Sequence, residues 1–276
     1  MSFTIIFQPG SQAQPHLFSL IENFDTAKGN LIGDGNRNKI KFFRLNNELV
    51  NIKSFKIPVF INKIVYQYFR KSKARRSFEH AGILLKKGIN TPKPIAFYEQ
   101  YCFPGLNRSY YVSEHLENAP TFYDLITMSQ FPDENILRQF THFSFELHEK
   151  GIDFLDHSRG NTLIKKTSEG KCSFYLVDLN RMRFRKSMSF DQRMKNLQRL
   201  TSKKEIIKIM SNEYAKWYNK PEEIIFKVLW HKTTTFEKRY TRRKRFTKKL
   251  KAYYEYLSTF FYRSVLVFGL CPVFDL

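Results

Sequence analysis

Acidic side chains are scarce in this 276-residue chain, where 25 Asp and Glu stand against 47 Lys and Arg for a formal net charge of +22. That imbalance points to an anionic partner: nucleic acid, an anionic membrane surface or a phosphorylated substrate, among which net charge does not choose. Cysteine is equally sparse. Cys102, Cys172 and Cys271 are odd in number and widely spaced, which argues against a disulfide framework and a structural zinc site and suits a reducing compartment. The opening MSFTIIFQPGSQAQPH has no basic leader followed by an apolar stretch, so no secretory signal is expected and the cytoplasm is the default location. Internal repeats and low-complexity linkers are also missing.

Apolar residues, by contrast, make up 42% of the chain and aromatics 16%, with 28 Phe and 15 Tyr, too many for intrinsic disorder. The length allows one large domain or two lobes around a cleft. From Leu31 to Phe55, short β-prone runs separated by a Gly/Asn-rich turn and an Asn-Asn turn predict three antiparallel strands. Between Asn62 and Lys87, Tyr66, Phe69, Phe78, Ala81, Leu84 and Leu85 recur at helical spacing among cations, and the pattern stops at Gly88. TPKPIAFYE and RSYYVSEHL predict two more strands, giving an α+β lobe of five strands and one helix over residues 1–116. Residues 117–235 read as a mainly helical second lobe. Its first helices end at Gly151, two β-prone runs, NTLIKK and CSFYLVDLNRMRF, follow, and helices resume from about Asp191.

The chemistry concentrates in GIDFLDHSRGNTLIKK and FYLVDLN. Asp156 and Asn161 lie five apart on a loop, and Asp178 ends a strand, so three oxygen-bearing side chains can converge on one cleft. Phosphoryl transfer needs a base near the attacking hydroxyl and oxygen ligands that hold Mg²⁺ over the triphosphate of ATP. Asp156 suits the base; Asn161 and Asp178 suit the metal. Taken singly, Asp156 and Asn161 are also what an ordinary Asx turn uses, and the position of Asp178 favours the metal reading. In the first lobe, Lys53 on a strand would hold the α- and β-phosphates, with Glu79 on the following helix as its ion-pair partner. Gly33 and Gly35 precede them in a turn through which backbone N–H groups can approach phosphates, although Asn38 stands where a third glycine would. His148 and His157 read as a packed helix residue and a loop residue.

This order of glycine turn, strand lysine, helix glutamate, Asp-x4-Asn loop and strand-end Asp resembles the protein-kinase-like fold. More specifically it resembles the bacterial lipopolysaccharide core kinases of the Kdo/heptose kinase family, over about residues 25 to 230. KSKARRSFEHAGILLKKGINTPKPIAFYE, RSYYVSEHL, LHEKGIDFLDHSRGNTLI and FYLVDLNRMRF carry the likeness, which is to Bacteroidetes-type members. The resemblance implies a two-lobed fold, ATP and Mg²⁺ as cofactors, and phosphorylation of a Kdo or heptose hydroxyl in the inner core on lipid A, at the cytoplasmic side of the inner membrane. Departures are Phe154 at a site often His or Tyr, Ser158 in place of a catalytic lysine, Arg159 in place of a common Pro, and DLN in place of Asp-Phe-Gly. Arg159 is the candidate to supply the missing lysine's charge. The departures also keep open a pseudokinase or membrane-bound scaffold, and a kinase acting on another small molecule or a protein.

Two basic stretches remain. Arg70, Lys71, Lys73, Arg75 and Arg76 form either a solvated helix face or a surface for phosphorylated glycolipid. In residues 236–276, nine cations from Lys238 to Lys251, uninterrupted by a carboxylate, precede an aromatic stretch too broken to span a bilayer. An interfacial helix on an anionic membrane is expected there; RNA binding is the rival explanation and has no RNA-binding motif elsewhere in the chain.

Overall fold

The computed structural model describes residues 2–7, 14–33, 38–56, 70–103, 105–127, 133–167 and 170–267. Asn46 and Asn47 both take positive φ, 48° and 65°, the left-handed pair that a two-residue hairpin turn demands and that Asn tolerates. They join strands β3 (Asn38–Leu45) and β4 (Glu48–Phe55). Strands β1 (Ser2–Phe7), β2 (Asn30–Ile32), β5 (Pro94–Cys102) and β6 (Gly105–Glu114) complete a six-stranded antiparallel sheet in the order β1-β5-β6-β4-β3-β2. β1 and helix α1 (Gln14–Glu22) were not anticipated from the sequence. β1 lacks a clean polar–apolar alternation, and the strand it pairs with is distant in sequence, with Ser2 opposite Tyr101.

Alternation along β4 sends its residues to two different environments. Val50 and Ile52 face α1 and join Leu17, Ile21, Phe24 and Tyr98 in one core. Lys53 and Phe55 face the other way, toward helix α2 (Lys73–Lys86). Ser72 caps α2 by accepting from Arg75 N, and Gly88, at φ 67°, follows its end. The part of the expected helix before Arg70 lies outside the described residues. The buried stripe of α2 is Ala74, Ser77, Ala81 and Leu84, and the last two enter the core of the second lobe.

That lobe comprises α3 (Phe122–Thr127), α4 (Glu134–Glu149), the hairpin β8 (Thr162–Lys166) and β9 (Cys172–Leu176), and the short pair β7 (Ile152–Phe154) and β10 (Met182–Phe184). Helices α5 (Phe190–Leu197), α6 (Lys204–Ala215) and α7 (Glu222–Val267) follow. Between α4 and β7, Gly151 sits at φ 68°, where a Cβ would lie 2.0 Å from Arg185 O; only glycine fits.

Helix α7 is 46 residues long and crosses residue 236 without a break. Ile225, Leu229 and Thr233 root it in the lobe, whereas residues 238–256 are exposed throughout. Along that exposed length Phe246, Leu250, Tyr253 and Leu257 recur every three to four residues, with Lys244, Lys248 and Lys251 on the opposite side. Among the described residues no helix is long and apolar enough to cross a membrane.

Candidate active site

The cavity between the sheet and the second lobe, about 420 Å³, is lined on its walls by Ile32, Ile40, Leu163 and Leu176 and at one end by Lys53, Asn161 and Asp178. A larger cavity, about 1040 Å³, opens beside Glu117, Asp124 and Lys166 and contains none of these three. The smaller one is therefore where the chemistry-bearing groups meet.

Lys53 reaches this end because strand alternation turns it away from the α1 core. Its Nζ donates to Asp178 Oδ1 at 2.7 Å, and Asn180 Nδ2 donates to the same oxygen at 2.6 Å. Only 13% and 28% of the two ion-paired side chains is exposed, so their attraction is screened less than at an open surface. Asp178 takes φ 59°, a conformation that costs a non-glycine residue about 1 kcal/mol and that marks a backbone held by its surroundings.

The catalytic-loop candidates are tied to Asp178 through the backbone. Val177 N donates to Asn161 O at 3.0 Å, and Asn161 Nδ2 donates to Asp156 O at 2.9 Å. Asn161 Oδ1 has no partner among the described residues. Asp156 is gripped on one carboxylate oxygen by Arg199 at 2.6 Å, and Arg181 lies 3.9 Å from the other. The structure thus brings Asn161, Asp178 and Lys53 together at one cavity, which Asp156 does not line; its main-chain oxygen is what ties it to Asn161.

It does not bring Glu79 to Lys53. Glu79 binds Lys71 at 2.8 Å and Arg75 at 3.0 Å on the outer side of α2, while Ser77, two residues earlier, lines the cavity. Residues two apart on a helix face different ways, so only one of them can point inward. Partial burial opposes the Glu79 charge, but hydrogen bonds from Lys71 and Arg75 outweigh it and hold the carboxyl below the usual carboxylate range. Lys73, one turn before Ser77, is pushed down by burial and by Arg181, against the pull of Asp178.

The Arg159 guanidinium covers the Tyr123 ring at 5.5 Å and its carbonyl accepts from Tyr123 N at 2.7 Å, while the cations beside the Asp156 carboxylate are Arg199 and Arg181. Gly33 has φ 76° and open space where a Cβ would be, as a turn near phosphates would need. Gly35 lies outside the described residues.

Behind the loop is a buried polar network that sequence reasoning missed. Asn196 Oδ1 lies 3.1 Å from His148 Nε2 and 2.8 Å from His157 Nδ1, and Asn196 Nδ2 donates to Phe154 O at 2.8 Å. Because an amide oxygen only accepts, both imidazole nitrogens must donate, and His148 Nδ1 is left to accept from Tyr214 OH at 2.8 Å. Burial pushes His148 down to about 3 and His157 to about 4, keeping both neutral. His157 is thus a loop residue, as expected, but a buried one. No local signal distinguishes Arg199 or Asn196 from the surrounding polar residues of KNLQRL.

A family model described as the lipopolysaccharide kinase (Kdo/WaaP) family matches residues 26–220. A structure of WaaP in complex with acyl carrier protein superposes at TM-score 0.57 and 15% identity, covering 86% of this chain and 99% of that one. The Rio2 kinase–ADP/Mg²⁺–phosphoaspartate complex from Chaetomium thermophilum superposes at TM-score 0.44 and 14% identity, covering 82% and 72%. No curated protein matches the sequence. The likeness to WaaP supports the two-lobed protein-kinase-like fold that the strand and helix order describes.

Proposed function

The chain belongs to the lipopolysaccharide kinase (Kdo/WaaP) family, and from that premise we propose which residues perform its phosphotransfer, on what acceptor and where. As a lipopolysaccharide core sugar kinase it uses ATP as phosphoryl donor. The observation that carries the residue assignment is the convergence of Lys53, Asn161 and Asp178 at one end of an apolar slot, with the Asp156 main chain one hydrogen bond away from Asn161.

The slot fits a nucleotide: apolar walls suit a flat base, and a lysine with two oxygen-bearing groups suits a triphosphate and its cation. The donor set fits Mg²⁺ too, because that ion keeps several waters and takes one or two protein oxygens beside the phosphates. Asp178 and the free oxygen of Asn161 would hold it. Bound ATP–Mg²⁺ supplies the phosphoryl group and neutralises the charge that develops during transfer. Lys53 orients the α- and β-phosphates, for which it must exchange its bond to Asp178. Gly33 leaves room for the backbone to approach. Asp156 accepts the proton of the acceptor hydroxyl as that oxygen attacks, and Arg199 fixes its carboxylate in place.

The acceptor in this reading is a Kdo or heptose hydroxyl of the inner core on lipid A. A lipid-linked acceptor requires work at a membrane, and the exposed half of α7 suits that. Its nine cations, at ~1 kcal/mol each near an anionic leaflet before saturation and screening, attract it to the surface, and its aromatic stripe can settle into the interface. The protein is then peripheral at the cytoplasmic face of the inner membrane. The departures at Asn38, Ser158 and Asp178-Leu179-Asn180 support a second reading, a pseudokinase that binds nucleotide without transfer.

Phosphate transfer from ATP to purified Kdo-lipid A and heptosyl-Kdo-lipid A, followed by mass spectrometry, separates the readings. Product from the wild type that disappears in Asp156→Asn names the acceptor. ATP binding with no product from either protein and either acceptor sinks the core-sugar assignment and favours the pseudokinase.

A further inference from the structure

The end of α5 and the turn after it grip the catalytic loop at several points. Asn196 holds Phe154 O and His157, and three residues later Arg199 Nη1 donates both to Leu155 O at 3.3 Å and to Asp156 Oδ1 at 2.6 Å. The other face of the Arg199 guanidinium lies against the Phe236 ring, 5.4 Å from its centroid. Phe236 itself stacks on Tyr240, one turn further along α7, at 6.1 Å. It occupies the point where α7 passes from its buried root at Thr233 to its exposed basic length.

We propose that Arg199 is a positioning residue for Asp156 and that Phe236 sets where Arg199 stands, so that the root of α7 controls the aim of the base. This rests on the assignment of Asp156 as base. A guanidinium has a planar fork and two flat faces, so it can bond a carboxylate edge-on while stacking on a ring face-on. Lysine can do neither with the same geometry. If the ring moves, the fork loses its backing and the carboxylate is free to rotate. The contact between the Arg199 guanidinium and Phe236 on α7 gives a displacement of that helix a path of two contacts to the base.

The test uses the full chain with ATP and detergent-solubilised Kdo-lipid A, so that membrane affinity plays no part. Arg199→Ala, Arg199→Lys and Phe236→Leu are compared with wild type by steady-state kinetics and by hydrogen exchange of residues 154–161. Since ångström-scale misplacement of a reacting group can cost on the order of 100-fold, Arg199→Ala should lower kcat by roughly that factor with the KM for ATP within about twofold. Millimolar guanidinium should restore part of the loss, which it would not do after a general loss of folding. Arg199→Lys should keep the charge yet recover little, and Phe236→Leu should lower kcat by roughly tenfold. All three losses should be accompanied by faster exchange of the loop. Full kcat and unchanged exchange in Phe236→Leu overturn the coupling, and a loss in Arg199→Ala that guanidinium does not rescue overturns the positioning role. If wild type transfers nothing while Arg199→Ala and Phe236→Leu still loosen the loop, the acceptor assignment fails and the coupling stands.

Discussion

Lys53 Nζ and Asp178 Oδ1 lie 2.7 Å apart although 125 residues separate them in sequence. This bond fastens the sheet to the loop after β9 across the cleft in which nucleotide is proposed to bind. Each partner is assigned a bound group of its own, the phosphates for Lys53 and the metal for Asp178. Their pairing therefore keeps two opposite charges satisfied in a half-buried place until those groups arrive.

Lys53→Ala should remove the thermal stabilisation that ATP–Mg²⁺ gives. A ligand at 100 times its dissociation constant stabilises by about 2.7 kcal/mol, so the wild type should show a shift of several degrees and the variant almost none. An equal shift in both would remove Lys53 from the site. The measurement is a melting curve with and without nucleotide.

Asp156→Asn should leave that nucleotide shift intact and lower transfer by roughly 100-fold to 10,000-fold, the usual range for loss of a general base. The replacement amide keeps the shape but cannot take a proton. Product formation is followed by mass spectrometry, and a variant as active as wild type would remove Asp156 from the reaction.

Glu79→Gln is predicted to change the KM for ATP by less than about twofold and stability by at most ~1 kcal/mol, the range for exposed ion pairs. A large effect on ATP affinity would mean that α2 rotates to bring Glu79 inward during turnover. The choice between Glu79 and Ser77 shows where sequence reading stopped. An Asp-x4-Asn loop and a strand-end Asp keep their register because loop length and strand alternation fix where they point. The phase of a helix is set by packing, and the stripe Ala74, Ser77, Ala81 and Leu84 decided it against Glu79. The Asn46-Asn47 turn and the strands it joins were legible for the opposite reason, since their conformation is dictated locally. β1 depends on a partner about 95 residues away, and Arg199 on contacts to two different elements; nothing near either in sequence reveals them.

Acid should unfold the protein through its buried imidazoles. His148 and His157 titrate at about 3 and about 4 in the folded state, against ~6.5 when unfolded. The unfolded chain therefore takes up their protons first as pH falls. Their contribution is fully present above pH ~6.5 and is lost toward pH ~4, at a slope approaching ~1.4 kcal/mol per pH unit for each histidine. Denaturant midpoints measured between pH 7.5 and 5 should fall accordingly, less steeply in His157→Gln; a flat profile in the wild type would contradict the buried, neutral state.

Replacing Lys248, Lys249 and Lys251 with Glu should weaken binding to anionic vesicles by at least about 100-fold at low salt, at ~1 kcal/mol per removed cation. Raising the ionic strength should erase most of the difference. Vesicle binding that survives truncation after Tyr240 would place the membrane contact elsewhere.

Because α7 runs unbroken from its buried root to Val267, its exposed stretch is a stiff rod rather than a tether. From residue 238 to 258 it extends ~30 Å at ~1.5 Å per residue. A flexible linker of that length would let the catalytic domain sample many heights above whatever the tip holds, whereas a rod fixes one standoff and one orientation. The local concentration of acceptor at the base then depends on how steeply the rod leans on its support, and lengthening it by two residues would swing the catalytic face through more than half a turn.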